Sequence, residues 1–286
     1  MSAALPRFES ESLDAQTLCG LDATNFLVAD PEVDLPCRLK LLPGSTTLFV
    51  MLNGAVDRAN PLPIFARWNW GKVLGGHVLA VCDPTLYLDD QLRMGWFVGR
   101  RSVDPVQALL RTVERVRLQL AIAAERVVFY GSSGGGFASM VAAAARPVGR
   151  AIVINPQVDI TNYYAKSVDH IAKVFAPGWT AQRCRDEYPL RWSALDAVAE
   201  ARRRQHDLRI VYAQNLEDKA HYKRHFMPFC EKFRAPAKGG ASAQGTVLTH
   251  VYSSPEGHGA EPPEVVKYLV AHGLAHLFAN DARETQ

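Results

Sequence analysis

The sequence lacks any apolar stretch that approaches the roughly 18 residues needed to cross a membrane. Its first residues, MSAALPRFESESLD, also lack the hydrophobic core of a signal peptide. Cysteine is scarce: the 5 residues are widely scattered and include no C-x-x-C pair, which argues against both a disulfide framework and a zinc site. We therefore expect a cytoplasmic protein with no membrane span and no bound metal.

A strong excess of charge of one sign is also missing. The chain has 32 basic and 29 acidic residues, and the net charge of +3 is spread over interspersed charges, so we expect no nucleic-acid partner. No internal repeat is present, and the low-complexity run AKGGASAQG at 237–245 is predicted to be a mobile loop. With 48% hydrophobic residues the chain can bury a large core, and we expect one domain over 1–286.

The most informative part of the chain is the stretch 126–146, RVVFYGSSGGGFASMVAAAAR. A short apolar run precedes a dense turn of glycine and serine, and an alanine-rich helical segment follows. The turn matches G-x-S-x-G with Ser133 at its centre, a pattern that exposes a serine hydroxyl on a strained bend between strand and helix. Ser132 is adjacent, and only one of the two serines can occupy the bend. A phosphate-binding loop is disfavoured because neither G-x-x-x-x-G-K-[ST] nor a clean G-x-G-x-x-G is present.

Strand-like runs recur along the chain and alternate with helical patterns in its later part. One helical stripe of apolar residues runs over 106–120 behind a cap at Asp104-Pro105, and a second covers 265–277. This alternation predicts an α/β fold, in which helices cover both faces of a mostly parallel sheet with an antiparallel start. The predicted strands are 25–28, 38–42, 46–52, 77–81, 127–130, 151–154, 208–212 and 246–252.

Reactive groups in such sheets gather beyond the carboxyl ends of the strands. The run QNLEDKAHY follows the predicted strand 208–212 and offers two carboxylates. Asp218 is the preferred acid because it lies deeper in the turn, directly before a helix. Glu217 is the alternative, and the structural role open to Asp218 is to cap that helix.

The candidate base follows the last predicted strand. In the loop PEGHGAEPP, His258 lies between two glycines, a setting that disfavours packing in a core. The alternative is an exposed surface histidine. His221 and His225, on the helix after the candidate acid, are further candidates for the wall of a pocket.

The strand, turn and helix around Ser133 resemble the nucleophile elbow of the α/β-hydrolase superfamily. The order Ser133, Asp218, His258 is that family's order, and the resemblance spans 46–278. It implies an α/β-hydrolase fold with a mostly parallel sheet of about eight strands. It also implies that His258 removes the Ser133 proton, while Asp218 fixes the histidine tautomer.

The same resemblance implies an oxyanion hole made of two N–H donors. One is expected at Gly134, directly after the nucleophile. The other is expected in the turn Asn53-Gly54-Ala55, where both Gly54 and Ala55 are candidates. Family esterases often carry His-Gly at this place, so Asn53 departs from their pattern and is a candidate substrate-binding residue. A simple β-turn is the structural alternative.

A helical lid is implied at about 158–207, between two strands. Tyr163, Tyr164 and Trp179 are candidate substrate-binding residues in it, with packing inside the lid as the alternative. Trp192 also lies in this segment, and Trp68, Trp70, Trp96 and Phe97 are expected near the same rim.

The function implied is that of a serine hydrolase that cleaves a carboxylic ester through an acyl-serine, with no cofactor. The runs YGSSGGGF and INPQ are also similar to bacterial hydrolase-like proteins associated with surface-glycan biosynthesis. An acylated saccharide is therefore an expected substrate beside other small esters. Two alternatives remain: an acyltransferase with the same triad, and a non-catalytic accessory protein that retains the fold.

Overall fold

The computed structural model describes residues 5–279, and within them ten strands form one sheet. The strands are β1 Arg7–Glu9, β2 Asn25–Ala29, β3 Leu35–Lys40, β4 Leu48–Leu52, β5 His77–Val81, β6 Val127–Ser132, β7 Val148–Ile154, β8 Asp207–Asn215, β9 Gly240–Ala241 and β10 Val247–Tyr252. Their spatial order is β1-β2-β3-β5-β4-β6-β7-β8-β10-β9.

Neighbouring strands from β5 through β4, β6, β7 and β8 to β10 are all parallel. Strand β3 pairs antiparallel with both β2 and β5, as expected for the start of the sheet. The register of β8 and β10 pairs Tyr212 with Thr249 and Asn215 with Tyr252. The loops that leave these two strands therefore emerge side by side.

The expected number of about eight strands is wrong, because β1 and β9 extend the two edges. Strand β1 has three residues and β9 has two, too few to give a detectable alternation of apolar and polar residues. Strand β9 lies in the run predicted as a mobile loop, where Gly240 and Ala241 pair with β10. Strand β8 also extends to Asn215, three residues beyond the predicted strand end.

Helices cover the sheet and connect its strands. They are α1 Ala15–Gly20, α2 Gly71–Leu74, α3 Pro105–Gln119, α4 Gly134–Ala144, α5 Ala165–Phe175, α6 Ala181–Glu187, α7 Pro189–Trp192, α8 Ala194–Arg203, α9 Lys219–His221, α10 Met227–Phe233, α11 Pro263–Tyr268 and α12 Leu274–Leu277. Five-residue π-helical turns, Tyr222–Phe226 and Leu269–Gly273, join α9 to α10 and α11 to α12. Helix α3 begins as predicted, with the Asp104 carboxylate accepting from the Val106 N–H at 3.0 Å.

The period of two along the strands sends alternate side chains to opposite faces of the sheet. On one face, Val50 of β4 and Phe129 of β6 pack with apolar residues of α3, α4, α5 and α8. On the other, Met51 and Val128 pack with residues of α2, α11 and α12. The prediction of helices on both faces is confirmed. Among residues 5–279, none of the helices combines the length and the apolar character that crossing a membrane requires.

Candidate functional site

The sharp bend predicted at the centre of G-x-S-x-G lies at Ser133. Strand β6 ends at Ser132 and helix α4 begins at Gly134, so Ser133 alone makes the turn, with φ of 56° and ψ of −124°. A positive φ is strained for a residue with a Cβ, and such strain is typical of functional positions.

Glycines allow this bend because the backbone approaches itself closely. A Cβ on Gly131 would lie 2.3 Å from the carbonyl of Gly135, and one on Gly135 would lie 2.2 Å from the Leu52 carbonyl oxygen on β4. Any larger residue at either position would push helix α4 away from the strands. The sequence thus dictates both the bend and its tight seating on the sheet.

Three polar side chains from different loops meet at the bend. His258 Nε2 lies 2.9 Å from Ser133 Oγ, and His258 Nδ1 lies 2.5 Å from Asp218 Oδ2. The parallel pairing of β8 and β10 brings the loops of Asp218 and His258 together although 40 positions separate the two residues. The Asp218 side chain is buried, with 5% of its surface exposed, whereas 37% of the His258 side chain is exposed.

The charge on Asp218 fixes the hydrogen-bond pattern. Burial acts to raise its pKa, but hydrogen bonds from His221 and His258 outweigh burial and hold the pKa of this carboxyl well below its usual range. An ionised carboxylate can only accept hydrogen bonds, so His258 donates to it through Nδ1–H. His258 Nε2 is then unprotonated and accepts a hydrogen bond from the Ser133 hydroxyl. This is the tautomer that a general base needs.

The alternative residues for the acid and for the nucleophile make other contacts. The Glu217 carboxylate is exposed and accepts from Ser253 Oγ at 2.9 Å, with Lys219 Nζ at 3.2 Å. Ser132 Oγ accepts from Arg67 Nη2 at 3.2 Å. Asp218 also accepts from the His221 N–H at 3.2 Å, so it caps the helix while it contacts His258.

Ser133 makes a second set of contacts that the sequence does not predict. Gln157 Nε2 donates to Ser133 Oγ at 2.9 Å and lies 2.7 Å from His221 Nε2. His221 Nδ1 is 3.1 Å from Asp218 Oδ1, and the His221 ring stacks on His258. The signal for Gln157 was its place directly beyond the carboxyl end of β7. His221, proposed only as pocket lining, contacts the acid itself.

The turn after β4 lies against the elbow. A Cβ on Gly54 would lie 3.4 Å from the Ser133 Cβ and 3.5 Å from the Gly134 nitrogen. The buried Asn53 side chain holds this turn: its Oδ1 accepts from the Asp83 N–H at 2.8 Å, and its Nδ2 donates to the Gly54 carbonyl at 2.9 Å. The neighbouring Ala55 is exposed.

The aromatic candidates separate into two places. Tyr163 packs edge-to-face on Trp96 and Tyr164, and its ring centroid lies 6.1 Å from that of His221, beside the site. Trp179 instead packs with Tyr188, Arg101 and Arg183, and it lines a separate cavity of about 680 Å³. Among the other rim candidates, Trp192, Trp96 and Phe97 are buried in the core.

A buried ion pair and a hydrogen bond hold the loop that carries His258. Arg67 binds Glu261 through two hydrogen bonds of 2.7 and 2.6 Å, and the Tyr130 hydroxyl donates to Glu261 at 3.0 Å. Burial would raise the pKa of Glu261, but the hydrogen bond and charge of Arg67 outweigh it and lower that pKa. Because Glu261 is three residues after His258 and Tyr130 is on β6, the bond between Tyr130 and Glu261 ties the loop of His258 to the sheet.

Asp218, His221 and His258 also lie close enough to be considered as metal ligands, with their candidate ligand atoms within 4.8 Å of one another. The two imidazoles are nearly parallel, with 14° between their planes, and both Nδ1 atoms face Asp218. Lone pairs of parallel stacked rings do not converge on one ion. The donor set therefore fits hydrogen bonding better than coordination.

No model of a known protein family matches the sequence, and no curated protein matches it. Several solved structures are similar. The capsule O-acetyltransferase of Neisseria meningitidis serogroup A superposes with a TM-score of 0.61 at 14% identity, over 91% of this chain and 98% of that one. A glycosylation-associated protein complex from Streptococcus agalactiae superposes with a TM-score of 0.60 at 13% identity, over 90% of this chain and 47% of that one. The acylaminoacyl peptidase of Pyrococcus horikoshii superposes with a TM-score of 0.56 at 15% identity, over 80% of this chain and 36% of that one.

This chain thus spans nearly all of the acetyltransferase, less than half of the glycosylation-associated chain and about a third of the peptidase. At such low identity the likeness concerns the fold. The sheet topology, with the strand, bend and helix at Ser133, is that of an α/β hydrolase, and the predicted fold is confirmed.

Proposed function

We propose that this chain, which has the α/β-hydrolase fold, is a serine enzyme that cleaves carboxylic esters through an acyl-Ser133 intermediate. The observation that carries the proposal is the continuous line of hydrogen bonds from Ser133 Oγ through His258 to Asp218, at 2.9 and 2.5 Å. A serine hydroxyl is a weak nucleophile by itself, and a base oriented by a carboxylate is the usual means of activating it.

In the proposed acylation step, Ser133 Oγ bonds to the ester carbonyl carbon as its proton passes to His258 Nε2. The carbonyl π electrons move onto oxygen and then re-form the double bond as the alcohol leaves, taking the proton from His258. Asp218 remains ionised throughout and stabilises the imidazolium. Its burial with two hydrogen-bond donors supports this role.

The oxyanion of this step is proposed to accept from the Gly134 N–H, in the first turn of α4, and from the turn that contains Gly54 and Ala55. The positive end of the helix dipole favours negative charge at Gly134. The close approach of Gly54 to Ser133 supports the second donor. Asn53 is proposed to hold this turn in place through its two backbone contacts.

The acyl group then passes to water, or to a hydroxyl of an acceptor, by the same steps in reverse order. Transfer to a saccharide hydroxyl is the second candidate function. The observation that favours it is the match over almost the whole length of a protein described as a capsule O-acetyltransferase. Tyr163 and the exposed Tyr164 are proposed to contact the sugar or acyl group, since Tyr163 lies beside His221 and Tyr164 packs on Tyr163. Trp179 is proposed to pack within the lid.

The chain 1–286 is proposed to be one domain, in which 158–207 acts as a lid through its first part. Tyr163 lies near the start of this segment, beside His221, whereas α8 packs on α4 and covers the sheet. A cytoplasmic location is proposed from the cysteines, because all five are free thiols and four of them are buried.

The test measures acyl release from acyl-sugars, aryl esters and thioesters, with and without a saccharide acceptor. Wild-type protein and the variants Ser133→Ala and Ser132→Ala are compared. Turnover is expected to disappear in Ser133→Ala and to persist in Ser132→Ala, since only Ser133 contacts His258. Retained turnover in Ser133→Ala would contradict the proposal. Folded wild-type protein that neither turns over these esters nor reacts with a fluorophosphonate would support an accessory role instead.

A further inference from the structure

Gln157 is carried to Ser133 by the INPQ turn at the end of β7. Asn155 makes the turn with φ of 42°, a left-handed conformation that asparagine tolerates better than most residues, and its Oδ1 accepts from the Asn215 N–H at 2.7 Å. The Gln157 N–H then donates to the Ser133 carbonyl at 3.3 Å. Main chain and side chain of Gln157 thus both bind Ser133, and the residue is completely buried.

The orientation of the Gln157 amide is fixed by its neighbours. The indole N–H of Trp96 lies 3.2 Å from Gln157 Oε1, and because an indole can only donate, the amide oxygen must face it. The two amide hydrogens then point to Ser133 Oγ and to His221 Nε2. His221 Nε2 must accept, so the proton of a neutral His221 is on Nδ1 and faces Asp218.

Ser133, His258, Asp218, His221 and Gln157 therefore form a closed ring of hydrogen bonds. Within this ring Ser133 Oγ accepts one bond from Gln157 and has its own proton free for His258. The hydroxyl is thereby held in one orientation before any substrate arrives.

We propose that Gln157 is a further catalytic residue, an amide donor that stabilises negative charge on Ser133 Oγ; this inference rests on the proposed function. As His258 removes the proton, charge grows on Oγ, and a donor already in place strengthens because bonds to charged acceptors are stronger. The same contact stabilises Oγ when it becomes the leaving group in deacylation. No proton leaves the amide, and the other bonds form and break as in the proposed acyl transfer.

Trp96 and His221 act on the reaction through Gln157 as positioning residues. Without the indole N–H, the Gln157 amide loses the donor that keeps its oxygen turned away from Ser133. Without His221 its second hydrogen has no acceptor. Each of the three groups is buried, so water offers little replacement.

The experiment measures the second-order rate constant for fluorophosphonate labelling of Ser133 in wild type and in Gln157→Met. Methionine preserves the length of the side chain and removes the donor. Labelling is expected to slow about 10- to 100-fold, the range for losing one donor to a charged oxygen. Gln182→Met is the matched control, since Gln182 is exposed and donates to Asp186 on its own helix, and its rate should equal that of wild type.

A second variant, Gln157→Glu, keeps size and polarity and serves if the methionine variant does not fold. Its carboxylate repels charge on Oγ, so labelling should again be slowed at least tenfold. Wild-type labelling rates in a folded Gln157 variant would overturn the inference. That result leaves the proposed function intact, whereas failure of wild type to label, or labelling retained in Ser133→Ala, would remove the proposed function itself.

Discussion

The imidazole of His221 lies face to face on that of His258, with ring centroids 3.9 Å apart and 14° between the planes. Both rings direct Nδ1 to the Asp218 carboxylate: His258 contacts Oδ2, and His221 Nδ1 lies 3.1 Å from both oxygens. Burial, and then the nearby His258, lower the pKa of His221 despite its hydrogen bond to Asp218. His221 is thus suited to remain neutral while His258 takes up the serine proton.

Replacing His221 should slow turnover without weakening substrate binding. In His221→Phe the stacked ring remains, but Asp218 and Gln157 each lose a partner, and kcat is expected to fall about tenfold with KM unchanged. His221→Asn can still donate to Asp218, so it should recover part of the loss. Steady-state kinetics on one ester checks both variants, and a His221→Phe protein with wild-type kcat would contradict this role.

Asp218→Asn should nearly abolish turnover, because an amide favours the wrong tautomer of His258. In serine proteases the equivalent change costs about 10⁴ in kcat. Glu217→Gln is the matched control one position away, and it should behave as wild type because Glu217 binds Ser253 and Lys219. Ester turnover of the two variants side by side decides the acid, and the reverse pattern would assign the role to Glu217.

Arg67→Met should destabilise the fold by about 3 kcal/mol or more, since it leaves the buried Glu261 carboxylate without its cation. The double variant Arg67→Met with Glu261→Gln removes both charges and should recover much of that free energy of unfolding. Urea denaturation of the single and double variants measures the effect. Equal stability of the single and double variants would show that the pair does not act as a buried unit.

His225 should make the protein acid-sensitive. It is buried, its Nδ1 accepts from the Val158 N–H at 3.3 Å, and burial, with the nearby His221 and Arg224, lowers its pKa to about 3. The unfolded chain takes up this proton below pH of about 6.5 and the folded chain does not, so stability falls as pH drops from about 6.5 towards 3.

Replacing this histidine by a group that does not titrate should remove its share of the pH dependence. In His225→Gln the free energy of unfolding should fall less steeply with acid than in wild type, by up to about 1.4 kcal/mol per pH unit. Urea denaturation between pH 7 and 4 checks it. Burial raises the pKa of Asp83 to about 6, an opposite contribution that both proteins share and that cancels in the comparison. If the free energy of unfolding falls equally steeply with acid in both proteins, His225 is not the source of this pH dependence.

The sequence was sufficient to predict the α/β-hydrolase fold and to select three residues that the fold brings together. Strand order and hydrophobic period place Ser133, Asp218 and His258 at one edge of a parallel sheet, because each follows a strand. The same logic could have selected Gln157, which follows β7. Its contact with Ser133 depends on the left-handed turn at Asn155, and sequence does not reveal that geometry.

Other features depend on contacts between distant parts of the chain. Arg67 and Glu261 are 194 positions apart, and neither carries a local pattern that identifies the other. Strands β1 and β9 are too short for periodicity to reveal them. The sequence makes Trp179 a candidate binding residue because it lies in the same inserted segment as Tyr163, but the fold of that segment places it at a different cavity.

The most direct test of the account is the mass of the protein after reaction with an activated aryl acetate. Peptide mapping of the trapped adduct should locate one acetyl group on Ser133, and Ser133→Ala should acquire none at that site. An adduct on Ser132, or complete ester turnover with no serine adduct even at the earliest times, would contradict an acyl-Ser133 enzyme.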